Sequence, residues 1–388
     1  LRGESLINLI IKEAKSYTMH QLMLLTCLLS MFMPFYIGLM MLAALTLGLI
    51  MNGELKALLQ ETPQAKAGLL VILAGFIGAL VYGNLLGVGC SFMMLVILIA
   101  ACDLRRHCDA HFYDRFIKLI LLMSVVCFAH ALLEYLNITE SLNYQFTDLI
   151  IPDLPKYRVN SVFFNANYYA MMCEFFIIIA LAKLITSENK GIYFFIILCN
   201  LSGLYLTGCR SAWPALAVAI LILFYFAGKR KTAALLLLIE ICLGLFVLME
   251  PELLPRLESS DSSMDVRIGI WQTAVQQFKV NPLLGHGPLT YMQVYPQFNG
   301  IATQHAHNIF LDALINFGIL GVVPLIIFIV NRLKEAFRLC DIRKALVLAL
   351  TVIVMIHGLL DATIFWSQTS FLYLSLLMMT VNLKTDEA

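Results

Sequence analysis

Apolar residues in this chain come in long blocks broken by short polar stretches, a pattern that neither alternation nor a one-sided helical stripe describes. The blocks run for about 16 to 22 residues, the length of an α-helix across a bilayer core. They predict helices at 19–34, 35–51, 67–83, 87–102, 116–136, 168–185, 192–207, 211–227, 232–249, 309–330, 345–360 and 368–383. The fold class expected is therefore an all-α polytopic membrane protein with about twelve transmembrane helices, one integral membrane domain over 1–388. The stretch 22–50 also reads as one long span broken at Pro34.

Charge separates these two counts. With twelve spans and both termini cytoplasmic, only Lys156, Arg158, Arg210, Arg256, Arg267 and Lys279 of the 26 basic residues face outward. That leaves 20 inside, as basic loops prefer. Fusing the first two spans would turn "GKRK" (228–231) and "NRLKEAFRLCDIRK" (331–344) outward. A cleaved signal peptide is not expected, because the first spans lead directly into further membrane sequence.

Composition agrees with a membrane solvent. Hydrophobic residues make up 61% and charged residues 13%, more apolar surface than a soluble core hides. A net charge of +1 predicts no nucleic-acid partner. The cysteines within apolar runs, Cys27, Cys90, Cys127, Cys173, Cys199 and Cys242, follow no metal-like spacing and read as small buried hydrophobes.

Two outward loops are long, 137–167 and about 250–308. The second holds "MDVRIGIWQTAVQQFKV", in which Ile270, Trp271, Ala274 and Phe278 recur at helical spacing until "NP" at 281–282 stops it. Such a helix is expected to lie along the membrane interface with its apolar face down, holding Arg267 at headgroup depth.

Once the topology is drawn, the unusual polar residues gather on one surface. Asn165 and Asn167 open the sixth span, Arg210 lies in the tight turn "LTGCRSAW", and Arg267 is in the large outer loop. The stretch "QHAHNIF" (304–310) brings His305, His307 and Asn308 to the start of the tenth span. Asp361 closes the eleventh, one turn after His357. A guanidinium grips phosphate oxygens bidentately at any relevant pH, and a neutral imidazole can take a proton from a hydroxyl. Together they suit a lipid-linked diphosphate sugar. No Asp-rich metal motif is visible, so the arginines would stand in for a divalent ion; no metal and no cofactor are expected.

A family resemblance sharpens this. "HNIFLDALINFGILGV" is His307 and Asn308, nine residues, then Gly318, two residues and Gly321, and it resembles the signature of bacterial O-antigen ligases. "RIGIWQTAVQQFKVNPLLGHG" before it resembles the wider superfamily that includes O-antigen polymerases. "TGCRS" is similar to a Thr-Gly-Ser-Arg turn, with Cys209 in place of serine. "SVFFNANYYA" is similar to a Phe-Asn-x-Asn motif, with Ala166 where proline is common, and "HGLLDATIFW" resembles a late outer turn. The resemblance implies His307 as catalytic base, with Arg210 and Arg267 holding an undecaprenyl pyrophosphate-linked glycan donor. His305, Asn308, Asn165, Asn167, Asp361 and Arg158 take supporting roles. It also implies an inverting, metal-independent transfer to a glycan or glycolipid acceptor at the outer face of the cytoplasmic membrane.

Plainer readings stand beside these. His307 could be a helix-start residue bonded to a loop carbonyl, and Arg267 an interfacial snorkeller. Asp312 could pair with an arginine or be simply buried. His286 reads as a turn residue, Gly318 and Gly321 as close-packing positions, and Glu174 and Glu240 as intramembrane acids with unassigned partners. From other function classes, a twelve-helix anion transporter would need charges lining a mid-bilayer path, and a non-catalytic envelope scaffold would not need His307 at all.

Overall fold

The computed structural model describes residues 16–144, 157–250, 260–298 and 303–382. Among them every regular element is helical and no strand occurs. In chain order the elements are α1 (Met19–Ser30), α2 (Phe35–Met51), α3 (Leu55–Glu61), α4 (Ala65–Val81), α5 (Leu85–Arg106), α6 (Ala110–Ser141) and α7 (Ala166–Thr186). They continue with α8 (Lys190–Leu206), α9 (Ala212–Phe226), α10 (Arg230–Met249), α11 (Ser260–Val280), α12 (Tyr291–Val294), α13 (Ile309–Phe337), α14 (Ile342–His357) and α15 (Ser367–Asn382).

Each of the twelve apolar blocks falls on a helix. By length and composition alone five can cross a membrane unaided: α5, α6, α7, α10 and α13. The pair α2 and α3, bent by 100° at Gly53, makes a sixth if taken as one span. The helices α1, α4, α8 and α9 are apolar but of 10–17 residues. Pro34 does break the first apolar stretch. It stands as the N-cap of α2, and α1 is already finished at Ser30.

Polar side chains set the helix starts, as the unpaired first N–H groups of a helix require. Thr18 and Gln21 form a capping box on α1. Asn84, Asp109, Asn165, Asn308 and Asp341 each accept a backbone N–H at the start of α5, α6, α7, α13 and α14. The bundle centres on α7, of whose apolar window 72% is buried, whereas α10 has 6% buried and hangs on the edge against α9. Cys242, expected inside, is exposed there, because α10 turns nearly its whole surface outward. The broadest packing joins α9 to α14 and α4 to α13. In a bilayer such contacts rest on close packing and interhelical hydrogen bonds rather than on water exclusion. Asn200 Nδ2 donates to Ser124 Oγ at 3.0 Å between α8 and α6, and Thr351 Oγ1 pairs with Tyr373 Oη at 3.0 Å between α14 and α15.

Three expectations about the outer segments are corrected. The loop over 137–167 begins later, because α6 runs on to Ser141; residues 145–156 lie outside the described ones. The described part of 250–308 is largely helical, and its amphipathic helix α11 does not lay its predicted stripe on lipid. Ile270 and Ala274 are buried in a cluster with Tyr291, Ala306 and Ile315, with Trp271 and Phe278 packed against it. The stripe is satisfied by protein, and α11 lies on α13. Third, Gly318 does more than allow close packing. Its φ of 57° and ψ of −172° interrupt α13, a conformation that glycine adopts without strain. The 282–287 loop inserts there. Pro282 O and Leu283 O accept from Ile319 N and Leu320 N at 2.8 and 3.0 Å, while His286 N and Gly287 N donate to Ile315 O and Asn316 O at 2.8 and 2.9 Å. Gly321 does pack closely, with Ala74 Cβ 3.2 Å from where its own Cβ would stand.

Candidate functional site

The residues between 303 and 308 are held in an unusual backbone. His307 has φ 47°, a left-handed conformation uncommon outside glycine. Three contacts over-determine it. Asn308 caps α13 by accepting from Phe310 N and Leu311 N, both at 3.0 Å, and donates through Nδ2 to Leu359 O at 3.1 Å. Ile309 N donates to Gly358 O at 2.7 Å. Asp312, fixed by Asn316 at 2.9 Å, accepts Ala306 N at 2.8 Å. Asp312 therefore braces the histidine loop; the arginine pairing weighed for it is not seen, because both of its oxygens already face donors of its own segment.

Asp361 is the hub. It is 1% exposed. One oxygen lies 3.3 Å from His305 Nε2 and 3.4 Å from His307 Nδ1; the other accepts from Asn167 Nδ2. The imidazoles meet edge to face, with centroids 4.4 Å apart. At 3.4 Å the His307–Asp361 contact is longer than a good hydrogen bond, and Nδ1 counts as unsatisfied. Such contacts tighten when substrate binds. His307 Nε2, on the far side of the ring, meets Thr303 Oγ1 at 3.1 Å.

Electrostatics give His305 and Asp361 different characters. Burial pushes His305 down to about 4, against the opposing pull of Asp361 and with help from the charges of His307 and Arg267; it is a neutral imidazole near pH 7. Burial alone would raise the Asp361 carboxyl, but the neighbouring histidines, His305 first, hold it well below the usual carboxylate range. The site thus contains a fixed anion beneath two imidazoles.

Asn165 and Arg158 connect to Asp361 through Asn167. Asn165 caps α7 by accepting Asn167 N at 2.8 Å. Arg158, 9% exposed, donates to Thr207 O at 2.8 Å and to Asn167 Oδ1 at 2.6 Å. It is a staple between the α8–α9 turn and the start of α7. Glu134 secures the same corner by accepting from Asn160 N and Ser161 N at 3.0 and 2.7 Å. Arg210 is half-buried on the α8–α9 turn, and Arg267 is half-buried on α11 within electrostatic reach of His305. Arg210 follows Cys209, whose Sγ lies 3.9 Å from His357 Nε2. His286 is a turn residue whose ring lies tilted against Tyr82, with centroids 4.2 Å apart.

Sequence reasoning missed the layer below. Glu174 and His357, both fully buried, are 2.7 Å apart through Oε2 and Nδ1, and His357 Nε2 approaches Cys209 Sγ at 3.9 Å. Cys209 is also 3.3 Å from Ser211 Oγ, so this pair abuts the turn that presents Arg210. An acid and a histidine in separate apolar runs were the available signal, since each is costly in a membrane without the other. Also unforeseen, His305, His307 and Asp361 place three ligand atoms within 4.8 Å, a set able to hold a cation; 54 residues of chain hide that proximity. An apolar cavity of about 190 Å³ is lined by Ile309, the residue after Asn308, and by Ile364, Phe365, Leu325, Phe328 and Leu377 among others.

No curated protein matches the chain. The family model described as O-Antigen ligase matches residues 194–326, a stretch that holds Arg210, Arg267, His305, His307, Asn308 and the Gly318–Gly321 pair. Arg158, Asn165, Asn167 and Asp361 lie outside it. Over residues 194–326 the chain is therefore similar to the O-antigen ligase family.

Proposed function

We propose that the protein is a glycosyltransferase that moves a glycan from undecaprenyl pyrophosphate to an acceptor sugar hydroxyl, of the lipid A core or another surface glycan. His307 is the base. Its Nε2 takes the acceptor proton as the hydroxyl oxygen bonds to the anomeric carbon; the bond to the diphosphate breaks on the opposite face and its electron pair leaves with the phosphate oxygen. That displacement inverts the anomeric centre. Asp361 stabilises the imidazolium, in the manner of a carboxylate behind a catalytic histidine. Arg210 and Arg267 hold the diphosphate and offset its growing charge, so that the step runs without a metal in this reading. His305, Asn308, Asn165, Asn167 and Arg158 keep the base and the arginine turn in register. The apolar cavity next to Asn308 receives a stretch of the isoprenoid chain.

The reading carries with it twelve spans in one membrane domain over 1–388, both termini cytoplasmic, and the site at the outer face of the cytoplasmic membrane. The observation that carries it is the buried Asp361 carboxylate behind His307, with Arg267 alongside. An O-antigen or exopolysaccharide polymerase would use the same groups on a second lipid-linked repeat. The decisive experiment incubates the detergent-purified protein with an undecaprenyl-pyrophosphate oligosaccharide and each acceptor type in turn. Release of undecaprenyl pyrophosphate with glycan on a core or wall sugar supports the ligase; lengthened lipid-linked glycan supports the polymerase. Undiminished turnover by His307→Ala refutes both, and solute uptake into sealed vesicles would favour the anion transporter instead.

A further inference from the structure

A second histidine–carboxylate cluster lies far from this chemistry. His20 stands in the first turn of α1, Asp103 in the last turn of α5, and His107 caps the end of α5. His20 Nε2 is 2.7 Å from Asp103 Oδ2, and His107 Nδ1 is 3.1 Å from Asp103 Oδ1. The two imidazoles overlap with centroids 4.2 Å apart and planes tilted by 33°. The other end of α5 is where Asn84 Nδ2 donates to His286 O and Pro288 O, on the loop that enters the α13 break. At 1.5 Å per residue, Asp103 is about 27 Å along α5 from its first residue. The cluster is therefore at the end of the bundle away from His307.

The geometry points to a binding site for a divalent transition-metal ion, zinc foremost, formed by His20, Asp103 and His107. Three potential ligand atoms lie within 4.8 Å of one another. Zinc bonds of about 2.0–2.2 Å put tetrahedral ligands about 3.3 Å apart, so the observed 2.7 Å to Oδ2 and 3.1 Å to Oδ1 would open by about 0.6 and about 0.2 Å. A separate observation concerns the acid itself. Asp103 is 0% exposed, and its Oδ1 meets only His107 Nδ1, at 3.1 Å, a ring nitrogen that also faces Asp103 O at 3.1 Å. A buried carboxylate oxygen served by one shared donor is weakly satisfied, and a cation seated between the rings would satisfy it.

Three further features favour the ion. Both histidine side chains are 28% exposed, which gives access from water while the carboxylate stays dry. The α5 carbonyl end carries partial negative charge, which attracts cations. The flanking chain is pinned: Gln21 Nε2 donates to His107 O at 3.2 Å and Asp109 Oδ2 at 3.1 Å, and Gln21 also completes the α1 capping box. Two imidazoles and one carboxylate select first-row transition ions over calcium or magnesium, which prefer all-oxygen shells. The bound ion would tie α1 to the α5–α6 turn as a clamp, with its remaining position taken by water.

The test uses the full chain in detergent after chelator dialysis, with Co²⁺ as spectroscopic probe and Zn²⁺ in calorimetry and thermal unfolding. The expected result is one equivalent of Co²⁺ with visible ligand-field absorption, retained in His307→Ala and lost in His20→Gln and His107→Gln, and a Zn²⁺-dependent rise in unfolding temperature that these two variants lack. The His→Gln changes fall on half-exposed side chains, so metal-free unfolding at the wild-type temperature certifies their fold. If Asp103→Asn also folds, it too should lose the ion. Absence of Co²⁺ absorption in the wild type, or absorption that survives His107→Gln or vanishes in His307→Ala, overturns the assignment.

Discussion

Replacing Asp361 with asparagine keeps the shape of the hub and removes its charge, which makes it the sharpest probe of the proposed mechanism. When His307 takes the acceptor proton, the new imidazolium sits 3.4 Å from the Asp361 carboxylate. At an effective dielectric of about 20, two unit charges at that distance attract by about 5 kcal/mol. The His307 side chain is 25% exposed, so water screens part of this; about half, roughly 2.5 kcal/mol, is a fair expectation for transition-state loss. One decade of rate is about 1.36 kcal/mol, so Asp361→Asn should slow turnover by on the order of 10². Loss of a comparable carboxylate behind a serine-protease histidine costs about 10⁴, where the base is held more tightly than here. The assay is release of undecaprenyl pyrophosphate under saturating donor by protein whose unfolding temperature has been checked. Because the carboxylate acts through the imidazole, Asp361→Asn added to His307→Ala should cost almost nothing more. A folded Asp361→Asn protein within threefold of wild type, or fully additive losses in the double variant, would refute this role.

Arg210→Lys and Arg267→Lys should each cut turnover at least tenfold in the same assay, since an ammonium cannot make the forked contact with a diphosphate; an unaffected Arg210→Lys would remove that residue from donor binding. Glu174→Leu leaves His357 Nδ1 without its acceptor in a fully buried setting, and thermal or denaturant unfolding in detergent should show a loss of about 1–3 kcal/mol. Acid should weaken the fold in two stages. His305, ordinarily at 6.5 and held at about 4 in the folded chain, takes up its proton more readily when unfolded, so stability falls as pH drops from 6.5 towards 4. Asp361, held below its ordinary 3.8, adds a further loss below that pH. Unfolding temperatures against pH should show both stages, and His305→Gln should remove the first and shrink the second, because His305 also holds Asp361 down. Full turnover in EDTA is expected of the catalytic site; a need for added divalent ion would assign the His305–His307–Asp361 trio a metal.

Most of the helix plan was legible in the chain because span length and hydropathy are local properties, and all twelve apolar blocks became helices. What escaped were features decided by contacts. The α2–α3 bend turns on Gly53 at φ 71°; the Gly318 break is set by a loop that arrives from 282–287. The α11 stripe looked ready for lipid but found Tyr291 and Ile315 instead. Among the site residues, Asn165, Asn167, His305, His307, Asn308 and Asp361 could be gathered onto one surface from topology alone, and five of the six now share contacts through Asp361 or the caps beside it. Their partners could not be read. Arg158 reaches Thr207 across 49 residues, and Glu174 meets His357 across 183.

The interruption at Gly318 has a mechanical meaning. An unbroken α13 would weld the His307 loop to its long membrane shaft; here the nine residues from Ile309 to Phe317 form a separate lever, hung from the loop that follows α11. In the proposed mechanism, a tilt of α11 as Arg267 engages a phosphate would be handed through that loop to the lever and so to the imidazole. Donor capture and proton removal would then share one linkage, and a Cβ at position 318, which would stand 2.3 Å from Leu283 O, would jam it.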